Sequence, residues 1–178
     1  MIRYIVKHFD YKEEDIAKGK YDAWDLILPF WDNVNVFEDI AKYYKDTELL
    51  TDAQRRFIAL QWYDSEVCNG GHDQFFRNSS GIVWKDALEG MKMIGDEKGA
   101  DNLQKAVEIF GGSIPFDYFE RRKVLEKIYE IYGMKAFDKI DDEFIGGDLF
   151  EKLMNEYVIS HPNEFIVDGD YQYSEIVR

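Results

Sequence analysis

The sequence predicts an all-α protein: a compact bundle of about seven or eight helices, with a small β-hairpin or strand pair at the termini. Three observations carry that expectation. Apolar residues recur at three- and four-residue spacing through most of the chain. Glycine or proline closes most of the periodic stretches, so the joints are short and favour antiparallel neighbours. Only the two ends show apolar–polar alternation instead.

Taken in order, MIRYIVKHF alternates in part and reads as a strand. A helix begins near Asp22, and Pro29 is expected to break or kink it. Residues 33–47 read as an amphipathic helix with Val34, Phe37, Ala41 and Tyr44 on one face. Thr51 or Asp52 caps the next helix, in which Phe57, Leu60 and Val67 recur until Gly70 and Gly71 end it. IVWKDALEGMKMIG places Trp84, Leu88 and Met91 on one face and stops at Gly95. DEKGADNLQKAVEIFGG buries Ala100, Leu103, Val107 and Phe110, with Asp96 and Glu97 where the helix dipole favours them. FDYFERRKVLEKIYEIYG repeats the pattern with Leu125, Ile128 and Tyr132, and its ERRK segment reads as a solvated face. Phe137, Ile140 and Phe144 mark a further helix, and DLFEKLMNEYVISHP is the last, stopped by Pro162. In the tail, Asp168–Gly169 between alternating flanks is a hairpin signal, and the same tail is a candidate partner for the N-terminal strand.

Composition narrows the function. A chain of 178 residues is one domain by default, and 46% apolar residues supply ample material for its core. Asp and Glu number 36 against 22 Lys and Arg, a net charge of -14. That balance disfavours direct binding to nucleic acid or anionic membranes and makes a basic protein the electrostatic complement. Cys68 is the sole cysteine, so no intrachain disulfide is expected. With no signal peptide and no run of 18 apolar residues, the expected location is cytoplasmic. A homo-oligomer is left open, and the burial of Trp24, Trp31, Trp62 and Trp84 bears on it.

The stretch NGGHDQFFRNSSG, residues 69–81, is the most unusual of the chain. Paired glycines allow a positive φ and a sharp change of direction, and Asn69 tolerates the same conformation. Phe75 and Phe76 pin the following segment into the core. Asn78, Ser79 or Ser80 can cap the next helix, while Glu66, Gln74 and the asparagines can satisfy exposed backbone. A catalytic reading needs Cys68 as nucleophile, His72 as base and Asp73 to orient the imidazole. The structural alternative is a buried inert thiol and a surface imidazole. His8, His72 and His161 are scattered, DGD at 168–170 lacks the other ligands of a calcium loop, and no phosphate-binding glycine loop occurs. Neither metal nor cofactor is expected.

Glu66 followed by NGGHDQFFRNSSG resembles the signature of a bacterial family of unknown general function, defined by the C-terminal domain of a DNA-mimic protein. The resemblance continues through KDALEGMKMIG, AVEIFGG and Tyr157 to HPNEF, roughly residues 46–166. It implies an all-helical fold and divides the chain into an N-terminal helical extension (1–45), the family domain (46–166) and a C-terminal tail (167–178). The residues carried over are Glu66, Asn69, Gly70, Gly71, Gln74, Phe75, Phe76, Asn78 and Gly81. Their chemistry suits a structural joint. The family commonly has an apolar aromatic at His72, and Cys68 lies outside its pattern, so the resemblance gives the cysteine–histidine pair no support.

In the mimic, acidic side chains stand in for DNA phosphates and capture a DNA-binding protein. The densest acidic run here is Asp138, Asp141, Asp142, Glu143, Asp148 and Glu151, with Asp10, Glu13, Glu14 and Asp15 as a second group. Asp138 and Asp142 stand at i and i+4, where like charges destabilise a helix by about 0.2–0.5 kcal/mol. The surface charge is not part of the shared motif, so fold membership does not transfer mimicry by itself. The expected function is a non-enzymatic, acidic protein-binding domain whose partner is a basic DNA-binding regulator. An inhibitor of a basic toxin such as a nuclease, and an enzyme or small-ligand binder built on the Glu66–Gly81 joint, are the alternatives.

Overall fold

A computed structural model of the protein describes residues 2–144 and 146–176. Among the described residues are nine α-helices, two short 3-10 helices (Ser79–Val83 and Pro162–Phe165) and one two-stranded antiparallel sheet, so the compact helical bundle with a terminal strand pair is observed. The order is β1 (Ile2–Tyr11), α1 (Glu13–Ala17), α2 (Ala23–Trp31), α3 (Ile40–Asp46), α4 (Asp52–Arg77), α5 (Trp84–Met93), α6 (Glu97–Ile109), α7 (Tyr118–Tyr132), α8 (Asp138–Glu143), α9 (Asp148–Ser160) and β2 (Val167–Ile176). Five-residue α1 is the element that apolar spacing did not announce.

Helix α4 organises the bundle and packs against α2, α5, α7 and α8. It opens with a reciprocal cap in which the Thr51 side chain accepts from the Gln54 N–H and the Gln54 side chain accepts from the Thr51 N–H. Phe57, Leu60 and Tyr63 on its inner stripe are fully buried. Trp84, Leu88 and Met91 of α5 and Ala100, Leu103 and Val107 of α6 are buried as their spacing predicts. The side chain of Asp96 caps α6 through the Gly99 N–H.

Several expectations need correction. Helix α2 runs through Pro29 to Trp31 instead of breaking. Proline lacks the N–H that would bond the carbonyl four residues back, that of Asp25. The Tyr11 hydroxyl donates to this carbonyl at 3.0 Å, which tolerates the proline. The helix expected over 33–47 begins only at Ile40, because the Asn35 side chain accepts from the N–H groups of Phe37 and Glu38 and Asp39 then caps α3. Val34 and Tyr43 are buried, whereas Phe37, Ala41 and Tyr44 are exposed. Tyr132 is also exposed, with Ile131 and Met134, because the last turn of α7 projects beyond the core. The Asp168–Gly169 hairpin does not form. β1 and β2 pair along their length, with Gly169 opposite Phe9 and Asp168 opposite Asp10. Phe9 meets the rings of Tyr171 and Tyr173 edge-on, and that packing accounts for the alternation in both segments.

Candidate functional site

The signature stretch lies inside α4. Its two glycines break the helix, Gly70 at φ -158°, ψ 26° and Gly71 at φ 70°, ψ -175°. The second conformation is essentially reserved for glycine. A Cβ at Gly71 would also fall on the Asp141 carboxylate. The helix does not end there as expected; it resumes at His72 and runs to Arg77 in a new direction. That turn buries Phe75 and Phe76 completely.

Three polar clamps hold the joint. The first is Glu66 on the straight part of α4. Its carboxylate accepts from Gln74 Nε2 at 2.8 Å, Asn78 Nδ2 at 2.9 Å and Ser80 Oγ at 2.6 Å. Asn78 and Ser80 therefore serve Glu66, and neither provides the side-chain cap expected for the next helix. Asn69, by contrast, is exposed.

The second clamp is Arg121, which sequence reasoning assigned to a solvated face. It is fully buried. Its guanidinium donates to the carbonyls of Phe76 (2.8 Å), Asn78 (2.8 Å), Ser79 (3.4 Å), Phe116 (2.9 Å) and Pro115 (3.0 Å). Burial pushes its pKa down to about 10, still far above neutrality. A cation at the C-terminal end of α4 also meets the favourable end of the helix dipole. Gly81 is small because Arg121 is there: a Cβ would lie 2.7 Å from Nε and 2.8 Å from the Phe75 carbonyl. The signal was present in the sequence, since Arg121, Leu125 and Ile128 share one helical stripe.

The third clamp is a line of Tyr63, His72 and Asp141, the first two fully buried and the last half-buried. The Tyr63 hydroxyl lies 2.7 Å from His72 Nε2, and Asp141 lies 2.5 Å from His72 Nδ1 and 2.9 Å from its backbone N–H. The imidazole packs among Phe76, Phe137 and Phe144, the setting of an apolar aromatic, with both ring nitrogens satisfied by α4 and α8. Burial raises the Asp141 carboxyl, but the His72 contacts outweigh it and the net shift is downward.

This geometry opposes the catalytic reading. Cys68 is exposed and His72 fully buried, the reverse of the expected burial. Desolvation, then the Asp64 carboxylate, push the Cys68 thiol up and away from the thiolate a nucleophile needs. Asp73 bonds Arg77 at 3.0 and 3.2 Å, and Asp141 takes the role of orienting His72. Tyr63 and His72 are both inaccessible to a substrate. Burial, then Asp141, hold the Tyr63 phenol well above its ordinary range.

The acidic run is divided by the fold. Asp141 is spent on His72, and Glu143 pairs with Lys105 at 3.0 Å. Asp138, Asp142, Asp148 and Glu151 are exposed and have no ion-pair partner among the described residues. In the N-terminal group, Lys12 pairs with Asp10, Lys18 with Glu14 and Lys20 with Asp15, so that charge is largely compensated. No helix of the described residues is long and apolar enough to cross a membrane.

Comparison with protein-family models matches residues 48–161 to the family described as DMP19-like protein. No curated protein and no solved structure matches the chain.

Proposed function

The chain belongs to the DMP19-like protein family, and from that membership we propose that it is a non-enzymatic domain that imitates DNA to capture a basic DNA-binding protein. The family supports a DNA-mimic, protein-binding role in general terms. The finer proposal concerns where and how this chain binds.

The observation that carries it is the set of exposed carboxylates on α8 and α9 without ion-pair partners among the described residues, Asp138, Asp142, Asp148 and Glu151. Asp138 and Asp142 repel one another one helical turn apart, and that cost is offset when a cationic surface docks. The glycine-broken joint acts as architecture: it fixes the direction of the last turn of α4, and Asp141 ties α8 to it through His72. The joint thus holds the acidic helix against the bundle, as a rigid charge display requires.

Salt dependence tests the proposal. Association with a basic partner should slow steeply between low and physiological ionic strength, because exposed charges are screened beyond about 8 Å at 0.15 M. The variant carrying Asp138→Asn, Asp142→Asn, Asp148→Asn and Glu151→Gln should fold normally and lose that dependence. Equal association rates for the variant and the parent would remove these four residues from the interface.

A further inference from the structure

An open groove of about 670 Å³ lies beside the signature joint, separate from the α8–α9 carboxylates. Its wall is formed by the segment entering α3, by Glu66 and Asn78 of the joint, and by the segment entering α7. Four carboxylates face it, Glu38, Asp39, Glu66 and Asp117, and no lysine or arginine lines it among the described residues. Two rings at its rim, Phe37 and Phe119, are 69% and 70% exposed. Each meets one neighbouring ring edge-on, Phe37 that of Trp62 and Phe119 that of Tyr118, and leaves most of its own surface open toward the groove.

The carboxylates are held in place. Asp39 and Asp117 cap α3 and α7 through Oδ1, each 2.8 Å from a backbone N–H, which leaves Oδ2 of each without a donor among the described residues. Glu38 is steadied by Asn35 at 2.7 Å. Fixed anions beside aromatic faces form the environment that recognises a guanidinium, which can bond a carboxylate while stacking on a ring. The chain shows the aromatic half of such a contact at this rim, where the Arg122 guanidinium lies over the Tyr118 ring, 5.4 Å from its centre, and donates to the Tyr118 hydroxyl.

We propose that this groove receives an arginine side chain of the partner protein, a second contact that adds shape and residue selectivity to the α8–α9 charge. The inference rests on the proposed capture of a basic protein and deepens it. A uniform carboxylate array attracts any cation; an aromatic-walled acidic groove distinguishes arginine from lysine. Arginine-rich surfaces would then be selected over equally charged lysine-rich ones.

The test uses the full chain and two synthetic probes, a glycine-rich dodecapeptide carrying two arginines and its two-lysine counterpart, with binding followed by amide chemical shifts at low salt. The arginine probe should move the amides of residues 37–40, 78–79 and 117–119 and bind more tightly than the lysine probe. Phe37→Ala with Phe119→Ala should weaken it about two- to fivefold. Asp39→Asn with Asp117→Asn should weaken it further, and because asparagine is an equally good helix cap the fold is retained. Shifts confined to 138–151, or affinities indifferent to the groove variants, would overturn the groove and leave the proposed function standing. No binding of either peptide anywhere would overturn both. A dimer whose groove amides are protected without peptide would assign the groove to a second copy and overturn the inference.

Discussion

Arg121 is buried with five carbonyl acceptors and no ion-pair partner among the described residues. Removing its fork would strand several of those carbonyls at once. We expect Arg121→Lys to lower unfolding free energy by at least about 3 kcal/mol, since a point-like ammonium cannot reach the same set. On the same helix, the exposed substitution Lys127→Arg should fall within about 0.5 kcal/mol of the parent. Urea unfolding of both variants distinguishes the two environments. Asp141 makes a second prediction at this scale. Burial alone would raise its carboxyl, but the bonds from His72 hold it below its ordinary value of 3.8. The unfolded chain therefore takes up the proton first as pH falls. The contribution of Asp141 to stability is complete above 3.8 and is lost as pH drops through the folded-state value. Asp141→Asn should cost stability at neutral pH, and its deficit should shrink when unfolding is repeated near about pH 3. A deficit independent of pH would mean the carboxylate charge is not what His72 uses.

At the scale of the element, α4 with its broken end is the feature on which the rest is built. Gly71→Ala should cost about 1–3 kcal/mol from the backbone conformation alone. It should cost more in practice because the added carbon meets the Asp141 carboxylate. A thermal midpoint unchanged from the parent would contradict the positive φ at that residue. Most elements were legible in the sequence, because apolar spacing and glycine stops report burial directly: Leu88, Met91, Leu103 and Val107 are buried as expected. Three of the misreadings share one cause, namely that a polar side chain, near or far in sequence, bonded backbone that apolar spacing does not report. Tyr11 rescues Pro29, Asn35 and Asp39 delay α3, and Asp141 reaches His72 from 69 residues away. Within the candidate site, Glu66, Gln74 and the asparagines read as groups that satisfy exposed backbone, whereas Glu66 accepts from the side chains of Gln74, Asn78 and Ser80 instead. The burial of Arg121 was readable from its stripe but hidden by its charge, and the groove depends on two segments, 37–40 and 116–119, that only the fold brings together.

For the whole molecule, a net charge of -14 carried on a bundle held by internal polar clamps describes a rigid anionic body. Rigidity matters because a charge array that reorders on binding loses part of its attraction to the entropy of fixing it. The central claim is that this body takes the place of DNA on a basic protein. Its most direct measurement is capture from lysate of the native source by the tagged chain, at low and high salt, followed by elution with competing duplex DNA. The account predicts a basic DNA-binding protein that is retained at low salt, released at high salt and displaced by duplex DNA. A partner that stays bound when duplex DNA saturates its DNA-binding surface would contradict mimicry, whatever the affinity of the complex.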